Sequence, residues 1–209
     1  MTNEELAIIE KGDYYVIGLD QSYTKTGLAV ARVRGGGCKI PLCGSINLAT
    51  CKQRTEARVL LHDELNNLLD KCLHKWPRVP GFVVFERPRL FSKAHICINY
   101  LLAIGALNSV IVDFAYFAKM PCYSVDTRAW RAAVVGTTKT QENDLGIPAE
   151  KYLTVQHFCE LGFTDFIKHY DQNRERFAYN HDLADAMGIA CAPAAFAVRG
   201  SLNLLKSEY

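Results

Sequence analysis

Two runs of β-branched, aromatic and aliphatic residues, YYVIGL at 14–19 and FVVF at 82–85, each end on a carboxylate, Asp20 and Glu86. Near-continuous apolar runs of this length predict central strands covered on both faces, as in α/β proteins, rather than half-solvated antiparallel sheets. A carboxylate at the end of such a strand is costly unless water, a donor or a cation meets it. After Asp20 the chain runs QSYTKTG and then LAVARV at 28–33, which predicts a second strand. The intervening stretch suits a hairpin connection, with Gly27 giving conformational freedom near its end. Taken alone, Asp20 is equally well explained as a turn-initiating residue that bonds its own backbone.

The rest of the chain extends this pattern. After the flexible RGGG turn, residues 40–49 (IPLCGSINLA) predict a third strand. Leu61, Leu65, Leu68, Leu69 and Cys72 recur at helical spacing among charged residues and predict a helix over 55–73, ended by WPRVPG. Ser92 is placed to cap a long helix running to about Lys119. That helix is apolar nearly all round, so the core and a second subunit are expected to bury it. Residues 121–125 predict a fifth strand, and Asp126 starts a short helix. Residues 137–149 read as a mobile polar loop, 150–161 as a helix, 162–180 as an irregular connection, and the last strong helix begins around His181. Short turns pair the first three strands antiparallel, and helical crossovers add the fourth and fifth in parallel. The expected fold is a mixed five-stranded α/β sheet flanked by helices. It occupies residues 14–199, between a polar leader (1–13) and a tail (200–209).

A length of 209 residues suits one such domain. No apolar run reaches the ~18 residues of a membrane span, and the start MTNEELAIIEKGD is acidic and polar, unlike a signal peptide. A cytoplasmic, non-membrane protein is therefore expected. The eight cysteines include no CxxC pair, which predicts reduced thiols rather than a disulfide framework or zinc site. The net charge of +2 says little, but the basic residues cluster. Arg87, Arg89 and Lys93 form one group, and Arg128, Arg131 and Lys139 another. Several such groups in one chain suggest a polyanionic partner, whereas each alone is commonly a solvated face or pairs with local acids.

The acids carry the sharper inference. In the expected topology the strands ending in Asp20 and Glu86 are neighbours, so both carboxylates lie at one sheet edge. Asp182 and Asp185 are three apart on one helix and share a face. A helix packed across the sheet, with Gly188 and nearby alanines allowing close approach, would bring all four together. Asp182 could instead merely complement a helix dipole, but Asp185 lies among Leu183, Ala184, Ala186, Met187 and Ile189, a poor setting for a solvated acid. Four hard oxygen ligands suit Mg²⁺ or Mn²⁺, and a pair of such ions suits in-line phosphodiester hydrolysis.

The segments GLDQSYTKTGLAV, FVVFERPR and HDLADAMGIA resemble the three acidic motifs of RuvC-type Holliday junction resolvases, in the ribonuclease H-like superfamily. PCYSVDTRAWRAAVVGTTK is similar to the segment before that family's DNA-contacting lysines. The resemblance spans roughly 14–195 and implies a homodimer that nicks four-way DNA junctions symmetrically, using two Mg²⁺ ions per active site with Mn²⁺ able to substitute. By motif, Asp20, Glu86, Asp182 and Asp185 would be the catalytic, metal-binding carboxylates. Arg87, Arg89, Lys93, Arg128, Arg131 and Lys139 would bind DNA. Phe91 stands where an aromatic wedge is expected, although RPRLF intervenes. The segment 136–151 is longer than in typical bacterial members, so either Lys139 or Lys151 fits the DNA-contacting lysine. His181 reads as a helix-start residue or as a group orienting water. These departures are similar to phage-encoded members, implying a bacterial or infected-host cytosol. A rival of another class is a non-catalytic protein that binds branched DNA on the same fold.

Overall fold

The computed structural model describes residues 1–22, 24–87, 98–171 and 176–208. The first strand, β1 (Asp13–Asp20), is buried on both faces, and its side chains divide by parity. Tyr14 and Val16 enter one core, while Tyr15, Ile17 and Leu19 enter the other. β2 (Lys25–Arg34) pairs antiparallel with β1, and β3 (Gly37–Asn47) pairs antiparallel with β2. β4 (Gly81–Glu86) runs parallel to β1, and β5 (Cys122–Val125) parallel to β4. These are the five strands and the pairings expected from the sequence.

The helices cover the two faces. α1 (Asn3–Lys11) comes before the sheet, α2 (Arg54–Lys75) and α3 (Ile98–Phe117) flank β4, and α4 (Thr127–Val134) follows β5. α5 (Tyr152–Phe158), α6 (Thr164–Ile167) and α7 (His181–Val198) complete the set. α2 and α3 fill one core, where Leu61 and Leu65 lose all solvent contact, each worth about 1.5–3 kcal/mol of transfer free energy. α1, α4, α5 and α7 fill the other. None of the helices among the described residues is long and apolar enough to cross a membrane.

Three expectations are corrected. The polar leader is the helix α1, closed by a Thr2–Glu5 capping box, with Ile9 buried and Glu5 accepting a hydrogen bond from the Tyr123 hydroxyl at 2.5 Å. Within the connection expected to be irregular, β6 (Lys168–Asp171) and β7 (Arg176–Tyr179) form a separate hairpin. The tail contributes β8 (Lys206–Ser207), which pairs antiparallel with β5 and makes the sheet six-stranded, in the order β3-β2-β1-β4-β5-β8. Too short to show a period, β8 exists because the β5 edge offers it unpaired backbone groups. The expected start of the long helix at Ser92 lies outside the described residues.

Two glycines set how closely α7 approaches the sheet. A Cβ on Gly18 would lie 2.4 Å from the Ala190 backbone nitrogen, and one on Gly27 only 2.1 Å from the Asp182 carbonyl oxygen. Neither position tolerates a side chain while the helix rests where it does. Gly27 is the register partner of Asp20, so the contact that seats the start of α7 also sets Asp182 beside Asp20. Gly188, expected to help this approach, instead makes room for the Trp130 ring of α4.

Candidate active site

Asp20 continues the parity of Tyr14, Val16 and Gly18, and Glu86 that of Phe82 and Val84, so both acids point to the α7 side. Parallel pairing of Leu19 with Phe85 places them side by side at the ends of β1 and β4. α7 supplies the other two acids from its first turns. Asn180 caps it by accepting a hydrogen bond from the Leu183 backbone N–H. Asp185 is 1% exposed, and Asp20 and Asp182 are each 8% exposed.

A lysine sits among three of these acids. The Lys151 Nζ, carried in just before α5, lies 3.1 Å from Asp20 Oδ2, 2.7 Å from Asp182 Oδ1 and 3.1 Å from Asp185 Oδ2. Burial alone would lower the Lys151 pKa, but Asp185, Asp20 and Asp182 overcome it and hold the ammonium above its usual range. Asp20 shows the opposite balance. Burial, with Asp185, Glu86 and Asp182 adding repulsion, pushes it well above the ordinary carboxylate range despite Lys151. Asp182 also suffers desolvation, yet the hydrogen bond from His181 and the Lys151 charge bring it down to about 2. The His181 Nδ1 lies 2.9 Å from Asp182 Oδ1, so the helix-start histidine is a direct partner of the acid.

Glu86 is held from α4. The Thr127 hydroxyl donates to one carboxylate oxygen at 2.5 Å and the Trp130 indole N–H to the other at 3.2 Å. These bonds oppose burial and the nearby Asp185, which together leave the Glu86 pKa raised. Arg131 shares that helix face. Its guanidinium lies 3.1 Å from Asp185 Oδ2, and only 11% of its side chain is exposed. Expected at the DNA surface, Arg131 turns inward because a buried carboxylate in reach outcompetes solvent. Thr127, Trp130 and Arg131 stand at i, i+3 and i+4 in DTRAWR, a spacing that would have revealed one inward polar face. Gln21, also missed, donates from Nε2 to the Glu86 carbonyl at 2.5 Å, and its buried Oε1 has no partner among the described residues.

The remaining expected DNA contacts lie in different settings. Arg128 and Lys139 are exposed. Arg87 is partly buried and donates to the Ser124 hydroxyl at 3.0 Å. Arg89, Phe91 and Lys93 lie outside the described residues.

Among the described residues no three His, Cys, Asp or Glu side chains converge tightly enough to form a ready-made cage. Three carboxylates nonetheless surround one cation, the Lys151 ammonium, and a fourth adjoins them. Asp20, Glu86, Asp182 and Asp185 are hard oxygen donors of the kind and number that suit Mg²⁺ or Mn²⁺. The residues fit such an ion, with the lysine as its stand-in.

No protein-family model matches the sequence, and no curated protein matches it. Solved structures do. The Thermus thermophilus RuvC structure superposes with a TM-score of 0.61 at 18% identity, covering 92% of this chain and 99% of that one. T. thermophilus RuvC in complex with Holliday junction substrate gives the same TM-score at 17% identity and the same coverage. The yeast mitochondrial Holliday junction resolvase Ydc2 gives 0.54 at 17% identity, covering 97% of this chain and 90% of that one. With a mixed sheet, helices on both faces and near end-to-end superposition, the chain has the fold of RuvC.

Proposed function

We propose that this protein is a divalent-metal-dependent endonuclease that resolves four-way DNA junctions. The observation that carries the reading is the meeting of Asp20, Asp182 and Asp185 around one cationic position, with Glu86 beside them, at the ends of β1 and β4 and the start of α7. The similar fold of RuvC, solved with a Holliday junction substrate, and of Ydc2 gives that cluster a context.

Asp20, Asp182, Asp185 and Glu86 would hold Mg²⁺ or Mn²⁺, ideally two ions. Bound metal would supply charge stabilisation at a phosphodiester and a nucleophile from water. Thr127 and Trp130 fix the Glu86 carboxylate by two donors, and Arg131 fixes Asp185, so these acids need little reorganisation on loading. His181 orients Asp182. Exposed Arg128 and Lys139, with Arg87, Arg89 and Lys93, would grip the DNA backbone and read branch shape more than base identity.

A homodimer through α3 suits paired incisions, because a C2 pair of sites matches a four-way junction. Leu102, Tyr116 and Phe117 stay 60%, 65% and 79% exposed on that helix, a face that a second copy would cover. Sedimentation velocity at micromolar concentration is expected to show the dimer.

The test is nicking of a synthetic four-way junction with and without Mg²⁺. Asp20→Asn is expected to lower the cleavage rate at least about a thousandfold, several kcal/mol of transition-state stabilisation, while junction binding persists. Near-wild-type nicking by that variant would remove Asp20 from the catalytic set. A second reading, a non-catalytic junction-binding protein, draws on Lys151 already satisfying three acids without metal. Tight junction binding with no nicking in either Mg²⁺ or Mn²⁺ would favour it.

A further inference from the structure

We propose that Cys38 and Cys191 form a reversible disulfide that staples the edge strand β3 to α7. Their sulfurs are 3.6 Å apart although the residues are 153 positions apart in the chain. Cys38 is exposed at the start of β3, the outermost strand of the sheet. Cys191 is half-buried on the α7 face that packs against the same core as Tyr14. Closing from 3.6 Å to the ~2.05 Å of a disulfide bond brings the sulfurs together by about 1.5 Å. The backbone on the Cys38 side can give: Gly35 and Gly36, both at positive φ, form the turn into β3.

The two thiols are not equivalent. The sulfur–sulfur hydrogen bond, acting against desolvation, lowers the Cys38 pKa, and the same bond together with burial raises that of Cys191. Cys38, the exposed thiol, is the attacking group, and the half-buried Cys191 is the resolving one. With a small disulfide such as oxidised glutathione, the Cys38 thiolate attacks one glutathione sulfur and expels the other as a thiolate. Cys191 then gives up its proton and attacks the Cys38 sulfur, expelling the second glutathione thiolate. Two protein thiols are oxidised, one glutathione disulfide is reduced, and two glutathione thiols are released.

The staple bears on the candidate site because Cys191 lies six residues beyond Asp185 on the same helix. Cross-linking would anchor the element that carries Asp182 and Asp185 to a strand that otherwise meets it by packing and by the hydrogen bond from Asn180 Nδ2 to Ser45 Oγ at 3.3 Å. The sequence alone pointed the other way, since cysteines without CxxC spacing read as plain reduced thiols. The inference stands whether or not the chain cuts DNA.

The test is a glutathione redox titration of the full folded chain without denaturant, quenched by alkylation and mapped by mass spectrometry of non-reduced peptides. A Cys38–Cys191 linked peptide is expected, together with a rise of roughly 5–10 °C in the unfolding midpoint that dithiothreitol reverses. Cys38→Ser and Cys191→Ser should each abolish both signals. Cys38 is exposed, so its serine variant is expected to fold and serves as the control for that of Cys191. Finding only glutathione adducts on Cys38, a different cysteine pair, or both thiols free in excess oxidised glutathione would overturn the proposal.

Discussion

Replacing Lys151 with Met tests the electrostatic logic of the carboxylate cluster. The ammonium lies within 3.1 Å of three carboxylates whose side chains are 11%, 12% and 1% exposed. Met keeps most of the length and apolar stem but removes the charge. Breaking a buried ion pair by deleting one partner costs about 3–5 kcal/mol, because the other charge is left buried and uncompensated. Here three acids share the ammonium, which raises the cost, but Arg131 still pairs with Asp185 and Asp20 already has a raised pKa and can take up a proton, which limit it. A loss of about 3–5 kcal/mol at neutral pH without metal is therefore expected. A divalent cation offers the acids a replacement charge and stabilises the folded state by mass action. Most of the loss should return in saturating Mg²⁺, and Mg²⁺ should bind Lys151→Met more tightly than wild type, where the ammonium competes. Urea denaturation with and without Mg²⁺, paired with calorimetric Mg²⁺ titration, reads both effects. A metal-free variant within about 1 kcal/mol of wild type would refute the counter-ion role, and equal Mg²⁺ affinities would refute the competition.

Two further perturbations probe the same region. Gly27→Ala puts a Cβ 2.1 Å from the Asp182 carbonyl oxygen, so α7 must shift. A loss of about 3 kcal/mol or more in urea denaturation is expected, together with weakened Mg²⁺ binding; a variant unchanged in both would show that α7 is not seated on Gly27. The Asp182 pKa, held to about 2 when folded, lies below the ~3.9 of an unfolded aspartate. Its contribution, about 2–3 kcal/mol, is therefore present above about pH 4 and is lost as pH falls towards 2. In metal-free denaturation from pH 7 to 2, the stability gap between wild type and Asp182→Asn should narrow over that window, and a gap independent of pH would contradict the assignment.

The sequence was explicit wherever a local pattern had a physical period. YYVIGLD and FVVFE announce buried strands that end on acids, and the helical spacing of leucines over 61–72 announces α2. Short turns and long crossovers then dictate which strands pair antiparallel and which parallel, which makes Asp20 and Glu86 neighbours. HDLADAM puts two aspartates on one helical face among residues too apolar to be solvated. All four acids of the cluster were legible in this way, because each sits at the end of an element whose burial the pattern reveals.

Contacts between elements distant in the chain were decided only by the tertiary structure. Nothing around Lys151 marks it as the counter-ion of Asp20 and Asp182, 131 and 31 residues away. A lysine at the start of an expected helix reads the same whether it faces water or a buried acid, and Arg131 read as surface charge for the same reason. The Cys38–Cys191 contact and the pairing of β8 with β5 are equally silent in sequence. Strand and helix periods report which face of an element is buried. They do not report which side chain of another element arrives there, because that depends on how closely α7 settles onto Gly18 and Gly27.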